Sequence, residues 1–155
     1  MKITDILEKQ SIDTSLVAGS KQDLLDKMLE LASKTGKVNN AKEARNEILE
    51  REKIMSTGVG RGIALPHAKT NSVEDSVGAM ALLERPIEYE ALDGEPVDVV
   101  FLLLGRENNV GNHLRLLSKI SRLMNHDTFQ SRLKQSTTPE QVMALLYEFE
   151  RSESE

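Results

Sequence analysis

The chain has 155 residues, of which 39% are hydrophobic, and this is typical of one globular domain. Its net charge is −5 and its charged residues are interspersed, so it lacks the basic clusters of a nucleic-acid-binding protein. It contains no cysteine, which excludes disulfides, thiolate nucleophiles and cysteine-ligated metal sites. No apolar run approaches the roughly 18 residues of a membrane helix and the first residues do not resemble a signal peptide, so we expect a cytoplasmic protein without membrane insertion.

The N-terminal third of the chain is predicted to be helical. Ser20 can cap a helix whose apolar residues recur at helical spacing, and Gly36 supplies its stop. A second helix is predicted to begin at Asn40, because Glu43 stands three residues later as in a capping box. Its helical pattern continues towards Glu52.

A glycine-rich loop is predicted after the second helix. Three glycines fall within five positions at 58, 60 and 62, and each would cost a helix interior about 1 kcal/mol relative to alanine. Backbone N–H groups in such loops can stabilise phosphoryl oxygens. The loop lacks the Gly-Lys-Ser/Thr ending of the Walker motif, which excludes a nucleotide-binding P-loop.

His67 follows this loop directly, after the sequence Ile-Ala-Leu-Pro at 63–66. The proline fixes φ immediately before the histidine. A neutral imidazole is a good nucleophile near pH 7, and a phosphoimidazole remains labile enough to pass its phosphoryl group onward. From these residues alone, both a structural histidine and a phosphoryl acceptor remain open.

Two short apolar runs rich in β-forming residues predict strands in the middle of the chain, at 76–83 and 97–104. The second run is apolar at almost every position, which predicts a central strand buried on both faces. Between them, the Arg-Pro pair at 85–86 and the Asp-Gly-Glu-Pro segment at 93–96 predict turns, with a further short strand around 87–89.

The final third is again predicted to be helical. One helix is predicted across 114–124, a short second helix starts where Asp127 and Gln130 can form a capping box, and a third opens at Thr138. Residues 1–150 are therefore predicted to form one α/β domain with helices packed on a small sheet. Residues 151–155 are predicted to be a frayed tail.

The residues around His67 resemble a known phosphorylation-site signature. Glu52, Val-Gly at 59–60 and Ile-Ala-Leu-Pro-His-Ala at 63–68 are similar to the signature of the fructose/mannitol-type (type 2) EIIA domain of the bacterial phosphotransferase system. The sequence Asn-His-Leu-x-x-Leu at 112–117 is similar to the second histidine motif of that family. The resemblance covers nearly the whole chain and implies the family fold, a mixed β-sheet flanked by helices.

The resemblance also implies a function for His67. In this family the histidine accepts phosphate from the phosphocarrier protein HPr or its paralogue, and in transport members it passes the phosphoryl group to an EIIB domain for sugar uptake. The alternative is the nitrogen-related regulatory branch, in which the phosphorylation state controls binding to target proteins. We predict no cofactor and no metal, because a zinc site at His67 and His113 would lack its third and fourth ligands.

Two further site residues are implied by the family. An arginine before the loop and the second histidine help to shape its phosphorylation site, which implies roles for Arg51 and His113. The guanidinium of Arg51 could bind the negatively charged phosphoryl oxygens. The alternative is that Arg51 is a solvated residue at the end of the helix and has no role in the site. His113 shares a helical face with apolar residues, so the alternative to a role in the site is that it is a histidine of the core. We expect it to hydrogen-bond His67 or the phosphoryl oxygens rather than to be phosphorylated.

The loop itself is predicted to bind phosphate through Ser56, Thr57, Gly58 and Gly60. The two hydroxyls could instead satisfy the loop backbone. For Glu52 we predict a structural role in orienting Arg51 or the loop, because a carboxylate close to phosphate would repel it. His126 fits a surface turn, and we assign it no function.

Overall fold

A mixed sheet lies at the centre of the computed structural model, which describes residues 1–154. Its six strands are β1 (Ile12–Leu16), β2 (Gly58–Gly60), β3 (Ile63–Ala64), β4 (His67–Thr70), β5 (Val77–Ile87) and β6 (Val97–Arg106). The α-helices within residues 1–154 are α1 (Lys21–Ser33), α2 (Ala41–Ile54), α3 (Val110–Met124), α4 (Asp127–Lys134) and α5 (Pro139–Ser154). The predicted single α/β domain with a small mixed sheet flanked by helices is confirmed.

Strand β6 is the centre of the sheet, as its apolar sequence predicts. The strand order is β1-β5-β6-β3-β2, and β4 also pairs with β6. Strand β5 runs antiparallel to β6, whereas β3 and β4 run parallel to it and lie end to end along its other edge. In this register His67 stands opposite Leu103. The segment that carries His67 is therefore fixed along the most buried strand.

The sheet separates two apolar cores, because side chains of successive strand residues point to opposite faces. Along β6, Val100, Leu102 and Leu104 belong to the core beneath α1 and α2. Phe101 and Leu103 belong to the core beneath α3, α4 and α5. His67 shares the register of Leu103 and so lies on the α3 side of the sheet.

The helix ends follow the predicted capping chemistry in the first third. The Ser20 hydroxyl accepts the N–H of Asp23 at 3.1 Å, and the Asn40 side chain accepts the N–H of Glu43 at 3.1 Å. Gly36 has a φ of 75°, as a helix stop requires. The predicted cap of α4 is wrong by one residue. Its first turn is capped by His126, whose Nδ1 accepts the N–H of Phe129 at 3.3 Å.

The predicted turn at 85–86 is wrong. Strand β5 continues through it to Ile87, which pairs with Val97. The separate short strand predicted at 87–89 is also wrong, because Ile87 ends β5 and residues 88 and 89 are in no strand. The pairing is irregular between Leu82 and Ile87, and such an irregularity accommodates a proline that has no N–H to donate. The turn at 93–96 is confirmed by Gly94, whose φ is 76° and whose N–H reaches the Ala91 carbonyl.

The last helix, α5, continues to Ser154, beyond the domain boundary predicted at 150. Residues 151–154 are therefore helical, and Glu155 lies outside the described residues. That the tail frays stays a prediction. No helix in residues 1–154 is both long and apolar enough to cross a bilayer.

Candidate functional site

His67 is the first residue of β4, and its ring is held by the chain that leads to it. Pro66 accepts the N–H of Leu103 at 3.0 Å, which anchors the approach to the histidine on β6. Nδ1 of His67 lies 2.8 Å from the carbonyl oxygen of Leu65. A carbonyl can only accept, so Nδ1 must carry the proton. In the neutral ring, Nε2 then keeps its lone pair.

The surroundings of His67 favour this neutral ring. Burial lowers the pKa of His67, and the nearby positive charge of Arg51 lowers it further. The Leu65 carbonyl and the Glu52 carboxylate act in the opposite direction, but burial is the largest influence. The ring is therefore unprotonated at Nε2 near neutral pH, as a nucleophile requires.

His113 faces His67 from helix α3. The two ring centroids are 5.7 Å apart, and His113 is only 3% exposed. Its Nδ1 has no hydrogen-bond partner within residues 1–154 and lies against Gly105 of β6. Burial, together with the positive charges of His67 and Lys69, lowers the pKa of His113 to about 4. The structure therefore brings the two predicted histidines together, and the second is neutral at physiological pH.

Arg51 lies in the last turn of α2, at the edge of the same groove. The groove has a volume of about 580 Å³ and is lined by residues of α2, β4 and α3 that include Arg51, His67, Lys69 and His113. The Arg51 guanidinium donates from Nη1 to the carbonyl oxygen of Met55 at 2.9 Å. It therefore supplies positive charge to the groove, while one of its donors satisfies the end of the helix.

Exposed apolar side chains line the same groove as the histidines. Ile54 of α2 is 80% exposed, and Leu114 and Val110 of α3 are 59% and 44% exposed, although all three line the groove. Large apolar residues grouped at a polar site are typical of a protein-binding surface. We call these three residues the apolar rim.

The four loop residues predicted to bind phosphate are not among the residues that line the groove in the described chain. Thr57 is 3% exposed, and its hydroxyl contacts Glu52 and Tyr89. The Ser56 hydroxyl donates to the Tyr89 carbonyl at 3.3 Å and accepts the N–H of Gly58 at 3.1 Å.

Gly58 and Gly60 belong to β2, where packing explains them. A Cβ on Gly58 would lie 2.8 Å from Cα of Ala91, and Gly60 has a φ of 104°. Strand β2, which contains both glycines, pairs with β3. The predicted role of Ser56, Thr57, Gly58 and Gly60 in phosphate binding stays a prediction.

A buried polar cluster lies behind the loop. Glu52 accepts the N–H of Thr57 at 2.9 Å, accepts the Tyr89 hydroxyl at 3.1 Å and pairs with Lys21 at 3.0 Å. Glu52 therefore contacts the loop, and its predicted structural role in orienting Arg51 or the loop stays a prediction. Tyr89 was not predicted, because it reaches the cluster only through the fold. Its one sequence signal is a lone aromatic residue between Glu88 and Glu90.

We expect the two histidines of the groove to titrate below the ordinary histidine range. In a pH titration followed by NMR, the His113 ring should change near pH 4, and the His67 ring should change below pH 6.5. Titration of His113 near pH 6.5 would contradict its burial as the cause.

The depressed pKa of His113 also makes stability depend on pH. Between pH 6.5 and about 4, the His113 side chain binds a proton in the unfolded chain but stays unprotonated in the folded protein. The free energy of unfolding contributed by His113, at most about 3 kcal/mol, is therefore present above pH 6.5 and is lost as the pH falls to about 4. Urea unfolding of the protein and of His113→Gln should show this difference in pH dependence.

Comparisons with known proteins agree with these observations. The model of the family described as phosphoenolpyruvate-dependent sugar phosphotransferase system, EIIA 2, matches residues 5–149. A nitrogen regulatory protein of Bradyrhizobium diazoefficiens is 36% identical over 148 residues, which cover 94% of this chain and 95% of that protein. The fructose-specific EIIABC component of Bacillus subtilis is 32% identical over 97% of this chain, but the chain spans only 24% of that protein. The crystal structure of nitrogen regulatory protein IIA-Ntr from Neisseria meningitidis matches with a TM-score of 0.86 at 31% identity, covering 93% of this chain and 98% of that one.

Proposed function

We propose that this chain, which belongs to the EIIA 2 family of the phosphoenolpyruvate-dependent sugar phosphotransferase system, accepts a phosphoryl group on Nε2 of His67 and passes it on. The contact between Nδ1 and the Leu65 carbonyl carries the proposal. It leaves the lone pair on Nε2, in a ring that lines an open groove beside a second histidine. We propose the cytoplasm as the compartment, because phosphoenolpyruvate is made there.

The chemistry is a transfer between two imidazoles. The lone pair of Nε2 attacks the phosphorus of a phosphohistidine on the donor, an HPr-type phosphocarrier protein. The bond from phosphorus to the donor nitrogen breaks as the new bond to Nε2 forms, and its electron pair returns to the donor ring. The His67 ring becomes positive, and the Leu65 carbonyl stabilises that charge by accepting the Nδ1–H. The same steps in reverse discharge the group to an acceptor.

His113 and Arg51 are the groups best placed to hold the phosphoryl oxygens. His113 is neutral and close to His67, so its ring can donate one hydrogen bond to an oxygen of the transferred group. We assign that donor to Nε2–H, because Nδ1 lies buried against Gly105. Arg51 supplies a permanent positive charge at the edge of the groove.

The apolar rim supports the view that the donor and the acceptor are proteins. Ile54, Val110 and Leu114 would be covered when a partner docks over His67, and their burial favours association. In the sugar-uptake role the acceptor is an EIIB domain, in keeping with the EIIABC name of the Bacillus subtilis relative.

A second candidate is the regulatory role, in which the phosphorylation state controls binding to target proteins. The 36% identity to a nitrogen regulatory protein and the TM-score of 0.86 with another favour it. Phosphorylation adds roughly two negative charges, which in the groove that the apolar rim lines would change the partners that this face binds.

The proposal is tested by incubating the protein with labelled phosphoenolpyruvate, HPr and the enzyme that charges HPr. We expect one acid-labile phosphoryl group per chain, whereas failure to take up label from a charged HPr would contradict the proposal. Charged protein is then offered to a panel of EIIB domains. Discharge to one of them supports sugar uptake. Discharge to none, with target binding that differs between the two states, supports regulation.

A further inference from the structure

A continuous series of hydrogen bonds joins Glu52 to His67. Glu52 accepts the N–H of Thr57 at 2.9 Å. The Thr57 carbonyl accepts the N–H of Leu65 at 2.9 Å. The Leu65 carbonyl then lies 2.8 Å from Nδ1 of His67. Each residue in the series fixes the peptide group that holds the next, so the position of the Glu52 carboxylate bears directly on the orientation of the His67 ring.

Helix stability does not explain the ion pair that begins this series. Glu52 lies in the last turns of α2, where a negative charge opposes the helix dipole, and it is only 9% exposed. Lys21 begins α1, where a positive charge opposes the dipole in the same way. Burying a carboxylate is also unfavourable unless its oxygens have partners. The carboxylate oxygen that pairs with Lys21, Oε2, is also the one that accepts the N–H of Thr57.

Tyr89 fixes the carboxylate from the other side. Its side chain is fully buried, and its hydroxyl lies 3.1 Å from Oε1 of Glu52 and 3.0 Å from the Thr57 hydroxyl. Burial and the negative charge of Glu52 raise the pKa of Tyr89 far above its usual range, so the hydroxyl remains a donor. Lys21 covers the ring, with Nζ 4.5 Å from its centroid.

The backbone directly after Tyr89 has an unusual conformation. The next residue, Glu90, has a φ of 58°, in the left-handed region that a residue other than glycine, asparagine or aspartate seldom adopts. Strained backbone of this kind persists where the surrounding structure requires it, often beside functional sites. Here it accompanies the burial of Tyr89 against Gly58, where a Cβ would lie 3.0 Å from the tyrosine ring.

We propose that Glu52 and Tyr89 are positioning residues for His67. They hold Thr57 and, through Leu65, keep His67 in the tautomer that has the proton on Nδ1 and the lone pair on Nε2. When the support is loosened, the Nε2–H tautomer gains population, and that form has no lone pair with which to attack phosphorus. The consequence for phosphoryl transfer rests on the function proposed above, whereas the effect on the tautomer does not.

The test uses Glu52→Gln, Tyr89→Phe and a matched control, Glu150→Gln. Glu150 is a comparably buried carboxylate, 8% exposed, that accepts the N–H groups of Ile3 and Thr4 at 2.6 and 2.9 Å and so holds the N-terminal turn instead of the glycine loop. The His67 tautomer is measured by NMR correlation of the ring nitrogens with the ring protons at pH 7.5. The rate constant for phosphoryl uptake from charged HPr is measured in parallel.

We expect Glu52→Gln to increase the Nε2–H population and to slow uptake about tenfold, the lower end of the loss when the residue orienting a metal-bound histidine is removed. Tyr89→Phe, which removes only one hydroxyl, should shift the tautomer less in the same direction. Glu150→Gln should leave it unchanged. An unchanged tautomer in folded Glu52→Gln or Tyr89→Phe, or an equal shift in Glu150→Gln, overturns the inference. If wild-type protein takes up no phosphoryl group but its tautomer still responds to Glu52, the proposed function fails and the positioning role stands.

Discussion

Replacement of His67 by glutamine should reduce acid-labile phosphoryl uptake to background. Glutamine has no nucleophilic nitrogen. His67 is half-buried and contributes one hydrogen bond, to Leu65, so we expect the free energy of unfolding to change by only about 1 kcal/mol. The measurement is label incorporation from phosphoenolpyruvate through HPr, with urea unfolding of the same samples.

The other two histidines provide the controls for this experiment. His126 is exposed and caps α4, so His126→Gln should incorporate label as the wild type does. His113→Ala keeps the nucleophile but loses the neutral donor beside it, and uptake should slow without being abolished. Label that survives in His67→Gln would contradict the assignment of the phosphorylated residue.

Replacement of Gly105 by alanine should displace His113. A Cβ at this position would lie 2.3 Å from Nδ1 and 3.0 Å from Cγ of the His113 ring, closer than packed atoms approach. The glycine is on β6 opposite Lys69, and the histidine is on α3, so neither backbone can move freely. We expect overpacking to lower the free energy of unfolding by about 1 to 3 kcal/mol, and phosphoryl uptake to slow.

Gly111 is the matched control for this substitution. It lies in the first turns of α3, and the nearest atom to an added Cβ is Nη1 of the flexible Arg115 side chain, at 3.4 Å. Gly111→Ala should be neutral or should stabilise the helix by up to about 1 kcal/mol. Equal urea midpoints and uptake rates for Gly105→Ala and Gly111→Ala would show that His113 does not depend on contact with Gly105.

The helices could be predicted from sequence because their signals are local. The caps Ser20 and Asn40 and the stop at Gly36 act within one turn of the helix ends, and the structure has all three. Strand β6 could be predicted for the same reason, because its apolar run is a local signal. The strands β1 to β4 were missed, because strands of two to five residues carry too little periodicity to be recognised. Their positions depend on partners far along the chain, such as Leu103 opposite His67.

In the candidate site, too, some residues could be predicted from local sequence signals and others depend on the fold. His67, His113 and Arg51 follow from motifs at fixed spacings, and the fold brings them to one groove. The loop hydroxyls could contact either phosphate or the protein itself, and in this structure those of Ser56 and Thr57 contact Tyr89 and Glu52. Tyr89 could not be placed, since its contact with Glu52 spans 37 residues and crosses from the end of one strand to a helix.

The central claim is that Nε2 of His67 carries the phosphoryl group. The most direct test is NMR of the phosphorylated protein labelled with ¹⁵N, in which coupling between phosphorus and a ring nitrogen identifies the bonded atom. The structure predicts coupling to Nε2 of His67, with the proton retained on Nδ1 beside the Leu65 carbonyl. Coupling to Nδ1 of His67, or to either ring nitrogen of His113, would contradict the proposed site.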